Sequence, residues 1–128
     1  LENGRSQDAI APLQKAVSLA PKAGLIRILL VQAMLASNPG ENAKNAIRQL
    51  TIARRYEPYS SSLYRLLAIA QNQLGRRGQA DLASAESAFR FGDLKLAKAR
   101  ATKAKRDLKK GSPSWIRAND ILNYKHPK

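Results

Sequence analysis

The 128-residue sequence contains no cysteine and only one histidine, one tryptophan and one methionine. Without cysteine there is no disulfide framework and no thiolate-ligated zinc. That absence suits an oxidising and a reducing compartment equally. The shortage of histidine removes more chemistry. A His-Glu-x-x-His zinc site needs two histidines one helical turn apart and a glutamate to activate water, whereas His126 stands alone beside Pro127. A Ser–His–Asp triad is excluded on ordered elements for the same reason. Gly75 and Gly78 bracket Arg76-Arg77 with no strand before them, so they do not form a phosphate loop. The chain is therefore read as non-catalytic, with no cofactor and no metal site of its own. Long apolar runs are also missing. The longest, Gly24 to Ala36, is interrupted by Arg27 and Gln32, short of the roughly 18–20 apolar residues a membrane-spanning helix needs.

Acidic residues are few. There are 9 against 23 Lys and Arg, for a net charge of +14. The imbalance is local, because 12 of the 23 basic residues fall in residues 90–128. Such a field suits an acidic partner, nucleic acid or an anionic membrane surface. The remaining composition is 44% hydrophobic and dominated by alanine and leucine, which favours helix. The length fits one domain. The chain opens at Leu1 rather than methionine and reads as a piece of a longer protein.

Self-similarity organises the helical pattern. Ala9, Leu13, Ala16 and Pro21 stand at intervals of 4, 3 and 5, and Ala46, Leu50, Ala53 and Pro58 repeat those intervals 37 residues later. A third copy follows Gly92-Asp93, with Ala97, Ala101 and Ala104 at intervals of 4 and 3. Each stripe of small residues predicts a helix packed close to its neighbours, and each proline predicts the stop of a helix. Different helices lie between the copies, over Leu25–Ser37 and Ser61–Gly75. The extra residues Asn38–Asn42 are expected in a turn, where loops absorb insertions cheaply. Leu1–Asn3 read as the end of an earlier helix. A single hairpin cannot bury such a stripe alone, so neighbours must stack.

This helix–turn–helix pattern resembles the tetratricopeptide repeat (TPR), most specifically at Leu67-Ala68, Gly75 and Ala80. The resemblance covers roughly residues 1–108. One departure is clear: the aromatic usual near the start of the first helix is Tyr64 in one repeat but Arg27 in another. The resemblance implies an all-α, TPR-like helix-turn-helix solenoid of about three and a half repeats over residues 1–110, the first truncated. Residues 111–128 then form a C-terminal capping helix and tail. An unrelated α-hairpin array fits the periodicity as well.

Beyond Gly75, a short Arg-Arg-Gly turn is expected to lead into a helix from Gln79 to Phe91, which both closes one repeat and opens the next. A basic helix spans Leu94–Lys109. Gly111 ends it, Ser112 is placed to cap the next helix and Pro113 to begin it. Trp115, Ile116 and either Ala118 or Ile121-Leu122 are expected to dock that last helix, ahead of a frayed Tyr124–Lys128. The final thirty or so residues carry a narrower resemblance on Gly92-Asp93, Gly111-Ser112-Pro113, Trp115, Arg117-Ala118 and Asp120-Ile121. They look like the C-terminal end of bacterial TPR-containing zinc metalloproteases of the HtpX/CAAX-protease-like, BepA-like type. That resemblance implies a periplasmic location, zinc only in a protease domain upstream of Leu1, and a role in holding substrate or an assembly partner. A stand-alone adaptor in the cytoplasm is the rival reading.

By the TPR resemblance, a protein or peptide partner would meet Gln32, Arg65, Ile69, Asn72, Gln73, Glu86 and Arg90, on first-helix faces turned away from the second helices. The mixture Arg65–Asn72–Gln73 suits peptide backbone or carboxylate recognition. Each of these residues also fits an ordinary solvated position. The basic patch Lys98, Lys103, Lys105, Arg106 and Lys109 fits a solvated face, an acidic partner or peripheral membrane contact. Nucleic acid is disfavoured, because stacking aromatics are missing around the charge. Dimerisation through the N-terminal end is a further expectation, since a cut repeat exposes its stacking surface.

Overall fold

The computed structural model describes residues 2–127, which form seven α-helices and no strand. They are α1 (Glu2–Leu19), α2 (Gly24–Ser37), α3 (Pro39–Ala53), α4 (Ser61–Gln73), α5 (Arg77–Phe91), α6 (Leu94–Asp107) and α7 (Pro113–Leu122). Each helix packs on the next along the chain. The protein is thus an all-helical array of packed neighbours, and none of its described helices is long and apolar enough to cross a membrane.

The boundaries follow capping chemistry. Asn38, Ser60, Asp93 and Ser112 accept hydrogen bonds from the backbone N–H groups of Glu41, Leu63, Leu96 and Trp115, at 3.1, 3.1, 3.1 and 3.2 Å. Each satisfies a donor the helix start leaves free. Pro39 and Pro113 stand in the first turns of α3 and α7, where a missing N–H is harmless. Gly92 closes α5 at φ 94°, and Asp93 N–H reaches back to the Ala88 carbonyl at 2.9 Å, a left-handed closure that glycine adopts without strain.

Several expectations are corrected. Residues Asn38–Asn42 are not a loop: Asn38 caps α3 and the others form its first turn, so the insertion lengthens a helix. Asn42 Nδ2 also donates to the Met34 carbonyl at 2.8 Å, tying α3 to the end of α2. Glu2 and Asn3 belong to α1, not to an earlier helix, and Leu1 lies outside the described residues. α1 runs through Pro12, which is exposed. Arg77 and Gly78 are helical rather than part of a turn, and Gly78 is buried where α5 meets Leu108 after α6. A Cβ there would lie 2.9 Å from Leu108 Cδ2, so any larger residue obliges the Leu108 side chain to shift.

The small-residue stripes meet three different surroundings. Ala46, Leu50 and Ala53 on α3, and Ala97, Ala101 and Ala104 on α6, are all fully or almost fully buried. Their counterparts Ala9, Leu13 and Ala16 on α1 are half-buried, because α1 packs only on α2. The closeness implied by the alanines is between α3 and its neighbours α2 and α4, and between α6 and its neighbours α5 and α7.

The core is divided. One cluster joins α1–α4 around Leu30, Val31, Met34, Leu50 and Leu63, and a second joins α5–α7 around Ala85, Ala101, Ala118 and Ile121. The division reflects a change of phase. α2 touches α4 directly, but α4 and α6 do not meet, and it is α5 and α7 that touch instead. The α4–α5 seam is held by Ser61 and Ser87, each hydroxyl lying 2.9 Å from the other's backbone carbonyl.

Candidate functional site

Two concavities lie on opposite faces of α5. At about 100° per residue, Ser84, Ser87, Ala88 and Phe91 share one face, while Gln79, Leu82, Ala83 and Glu86 share the other. The first face floors a groove of about 560 Å³ between α4 and α6, lined also by Arg65, Ala68, Ile69 and Asn72 of α4 and by Asp93, Leu96 and Arg100. This groove lies between the two helices that fail to meet.

Comparison of repeat positions shows how the sequence accommodates the opening. Arg65 and Asn72 stand 37 residues after Ile28 and Leu35. The two apolar residues are buried in the α1–α4 core, whereas Arg65 and Asn72 are exposed. Where a neighbouring helix covers this face of the repeat the residues are apolar. Where no helix covers it they are charged or amide-bearing. Apolar surface nevertheless persists in the groove: Ile69, Leu96 and Phe91 are 37%, 43% and 82% exposed. Arg65 and Arg100 supply positive charge, and the single acid in the lining, Asp93, is engaged in capping α6.

Of the residues expected to meet a partner, Arg65, Ile69 and Asn72 come together in this groove. Gln32 and Gln73 are exposed but do not line it. Glu86 and Arg90 must be reassigned. Glu86 faces the opposite side of α5 and is 8% exposed, and its Oε1 accepts from Arg117 Nε at 2.9 Å and Nη2 at 2.5 Å. Arg90 lies 3.9 Å from the other carboxylate oxygen and rests against Tyr59 at 5.0 Å from the ring centre. Glu86 serves the attachment of α7, and Arg90 lies between Glu86 and the Tyr59 ring ahead of α4. The reason is the phase change: α5 offers a face to α7, so positions that resemble an open first-helix face are covered.

Residues missed at the sequence level are Ser84, Ser87, Phe91, Leu96 and Arg100. Leu96 carried a signal, since it falls off the Ala97–Ala101–Ala104 stripe and has no core role to play. Phe91 carried one too, as a large aromatic in the last turn before the Gly92 stop.

The basic patch is only partly free. Lys105 Nζ donates to Asn119 Oδ1 at 2.7 Å and lies 4.7 Å from the centre of the Trp115 ring, a cation–π contact. Lys103, Arg106 and Lys109 are exposed and Lys98 is half-buried. Trp115 is half-buried and Ile116 is 49% exposed, so the docking of α7 rests on Ala118 and Ile121. Tyr124 is not frayed: its ring meets Phe89 edge-on at 4.9 Å.

The second concavity, of about 220 Å³, lies between α4, α5 and α7 and is lined by Arg54, Tyr64, Gln79, Glu86, Ser114 and Arg117 among others. Burial pushes the Tyr64 phenol above its ordinary value, and Glu86 adds to that, while Arg90, Arg54 and Arg117 oppose it. No group of three or more metal-ligating side chains occurs among the described residues. Comparison with models of known families, with curated proteins and with solved structures returns no match.

Proposed function

We propose that this chain is a non-catalytic protein-interaction domain of TPR-like solenoid type, and that the α4–α5–α6 groove receives a peptide segment of a partner protein. The observation that supports this reading is the groove itself. It combines three exposed apolar side chains, Ile69, Phe91 and Leu96, with Arg65 and Arg100 and a free amide at Asn72. Apolar contact supplies affinity and the arginines select carboxylates. The occupant is therefore an acidic amphipathic segment carrying leucine or phenylalanine between aspartates or glutamates. By the resemblance of its last thirty residues, the domain belongs to the C-terminal, partner-holding region of a periplasmic zinc metalloprotease.

The test uses fluorescence anisotropy with a labelled acidic amphipathic peptide of about a dozen residues, and a version with lysine replacing each acid. The acidic peptide should bind and the basic one should not. The Arg65→Ala/Asn72→Ala double variant should weaken binding about tenfold, equivalent to about 1.4 kcal/mol. Unchanged binding in that variant would remove the groove from the reading.

A second reading rests on the 12 basic residues of positions 90–128, which suit an anionic surface. Under it, glutamate at Lys103, Arg106 and Lys109 abolishes binding while the groove variant has no effect, and affinity falls steeply from low to physiological salt. Lys105 stays unchanged in this comparison because it holds α7.

A further inference from the structure

The cavity on the opposite face of α5 is distinct from the peptide groove and shares no residue with it. Its walls come from three separate places in the chain: Arg54 at the end of α3, Tyr64 and Leu67 of α4, and Pro113, Ser114 and Arg117 of α7, over a floor from α5. Its polar groups are unevenly matched. Glu86 is the one carboxylate in the lining, and both of its strong bonds go to Arg117. Arg54 is exposed at the mouth and has no ion-pair partner among the described residues. Arg90 stands just beyond the wall, 3.9 Å from Glu86, and its Nε is buried without a hydrogen-bond acceptor. Arg117 and Arg90 thus share one carboxylate, and Arg54 has none.

Two nearby hydroxyls are oriented by the fold. The Tyr64 hydroxyl donates to the Pro58 carbonyl at 3.1 Å, and Ser114 Oγ accepts from Gln79 Nε2 at 3.1 Å. The site therefore carries more positive than negative charge, and its volume of about 220 Å³ exceeds the roughly 30 Å³ share of a single water.

We propose that this cavity binds a small free oxyanion, a carboxylate or a phosphate, between Arg54 and Arg117. The unpaired planar fork of Arg54 matches both groups with paired N–H···O bonds, and Arg117 offers Nη1, which its bonds to Glu86 leave unused. Such an anion would link the end of α3 to α7, joining the two halves of the molecule across the α4–α5 seam.

The probes are sodium phosphate and sodium acetate, titrated at constant ionic strength with chloride as balance. The readouts are calorimetry and the fluorescence of Trp115, the single tryptophan, next to Ser114. At least one anion should bind saturably at one site per chain, and the preferred one identifies the source. Arg54→Ala should weaken it at least tenfold without changing the circular dichroism or the melting temperature, since the exposed Arg54 side chain makes no hydrogen bond or ion pair among the described residues. Arg65→Ala in the peptide groove should leave it unchanged. Failure of both anions to saturate by about 20 mM, weaker than any millimolar site, would overturn the proposal. So would equal affinity in Arg54→Ala. Neither result bears on the peptide groove.

Discussion

Arg27 and Tyr64 occupy the same repeat position, 37 residues apart, and perform one task with different chemistry. Arg27 Nε and Nη2 donate to the Pro21 carbonyl at 3.1 and 3.0 Å, and the Tyr64 hydroxyl donates to the Pro58 carbonyl at 3.1 Å. Each fastens the turn before its helix, and Arg27 also reaches Gln49 at 2.6 Å. Arg27→Ala leaves a carbonyl and an amide without their donor and should cost about 1–3 kcal/mol in urea denaturation. Tyr64 adds a pH dependence. Its folded pKa is raised above the ordinary value of 10.0, so its stabilising contribution is complete below that pH and is lost as pH rises through the folded value. Melting temperatures from pH 8 to 11 should fall less in Tyr64→Phe than in the parent protein, after a loss of about 1 kcal/mol at neutral pH. A parallel fall in both would show that the phenol does not ionise at the expense of the fold. The sequence revealed the departure at Arg27 from the aromatic of its repeat. It could not reveal that the guanidinium replaces the phenol, because the shared acceptor is a turn carbonyl placed by the path of the chain.

Among the helices, the small-residue stripe distinguishes inner from outer members. Ala46→Leu on α3 meets full burial and should cost about 1–3 kcal/mol by overpacking. Ala9→Leu on α1, the same repeat position with one side open, should cost less than half of that. Equal costs by chemical denaturation would mean that α1 is covered in solution, as expected if the N-terminal end dimerises. The last helix is held differently, by Ala118 and Ile121 in the core and by the Glu86–Arg117 pair beside it. Glu86→Gln removes the charge that Arg117 and Arg90 share. With Arg117 36% exposed at its side chain, solvent screening holds the expected loss to about 1–2 kcal/mol, read as earlier melting. The existence of these helices was legible from spacing, and Ser112-Pro113 marked the start of α7. The role of α5 was half legible: its alanines showed packing on two sides but not which side α7 takes.

The whole molecule consists of two packed clusters joined at one seam. Native-state hydrogen exchange should resolve them, with amides of α5–α7 opening together at a lower free energy than those of α2–α4, because the second cluster is built largely from alanine and buries less apolar area per residue. Identical protection across both clusters would show a single cooperative unit. By itself the sequence determined the all-helical class, the repeat interval, the Ser112 cap and the concentration of positive charge, because those depend on local spacing and composition. Only the tertiary structure decided that α4 and α6 stand apart while α5 and α7 meet. That choice separates Arg65, Ile69 and Asn72 from Glu86 and Arg90, and it opens one concavity on each face of α5. It depends on which of several small-residue faces pack together, and an alanine-rich helix such as α5 offers more than one face of nearly equal merit.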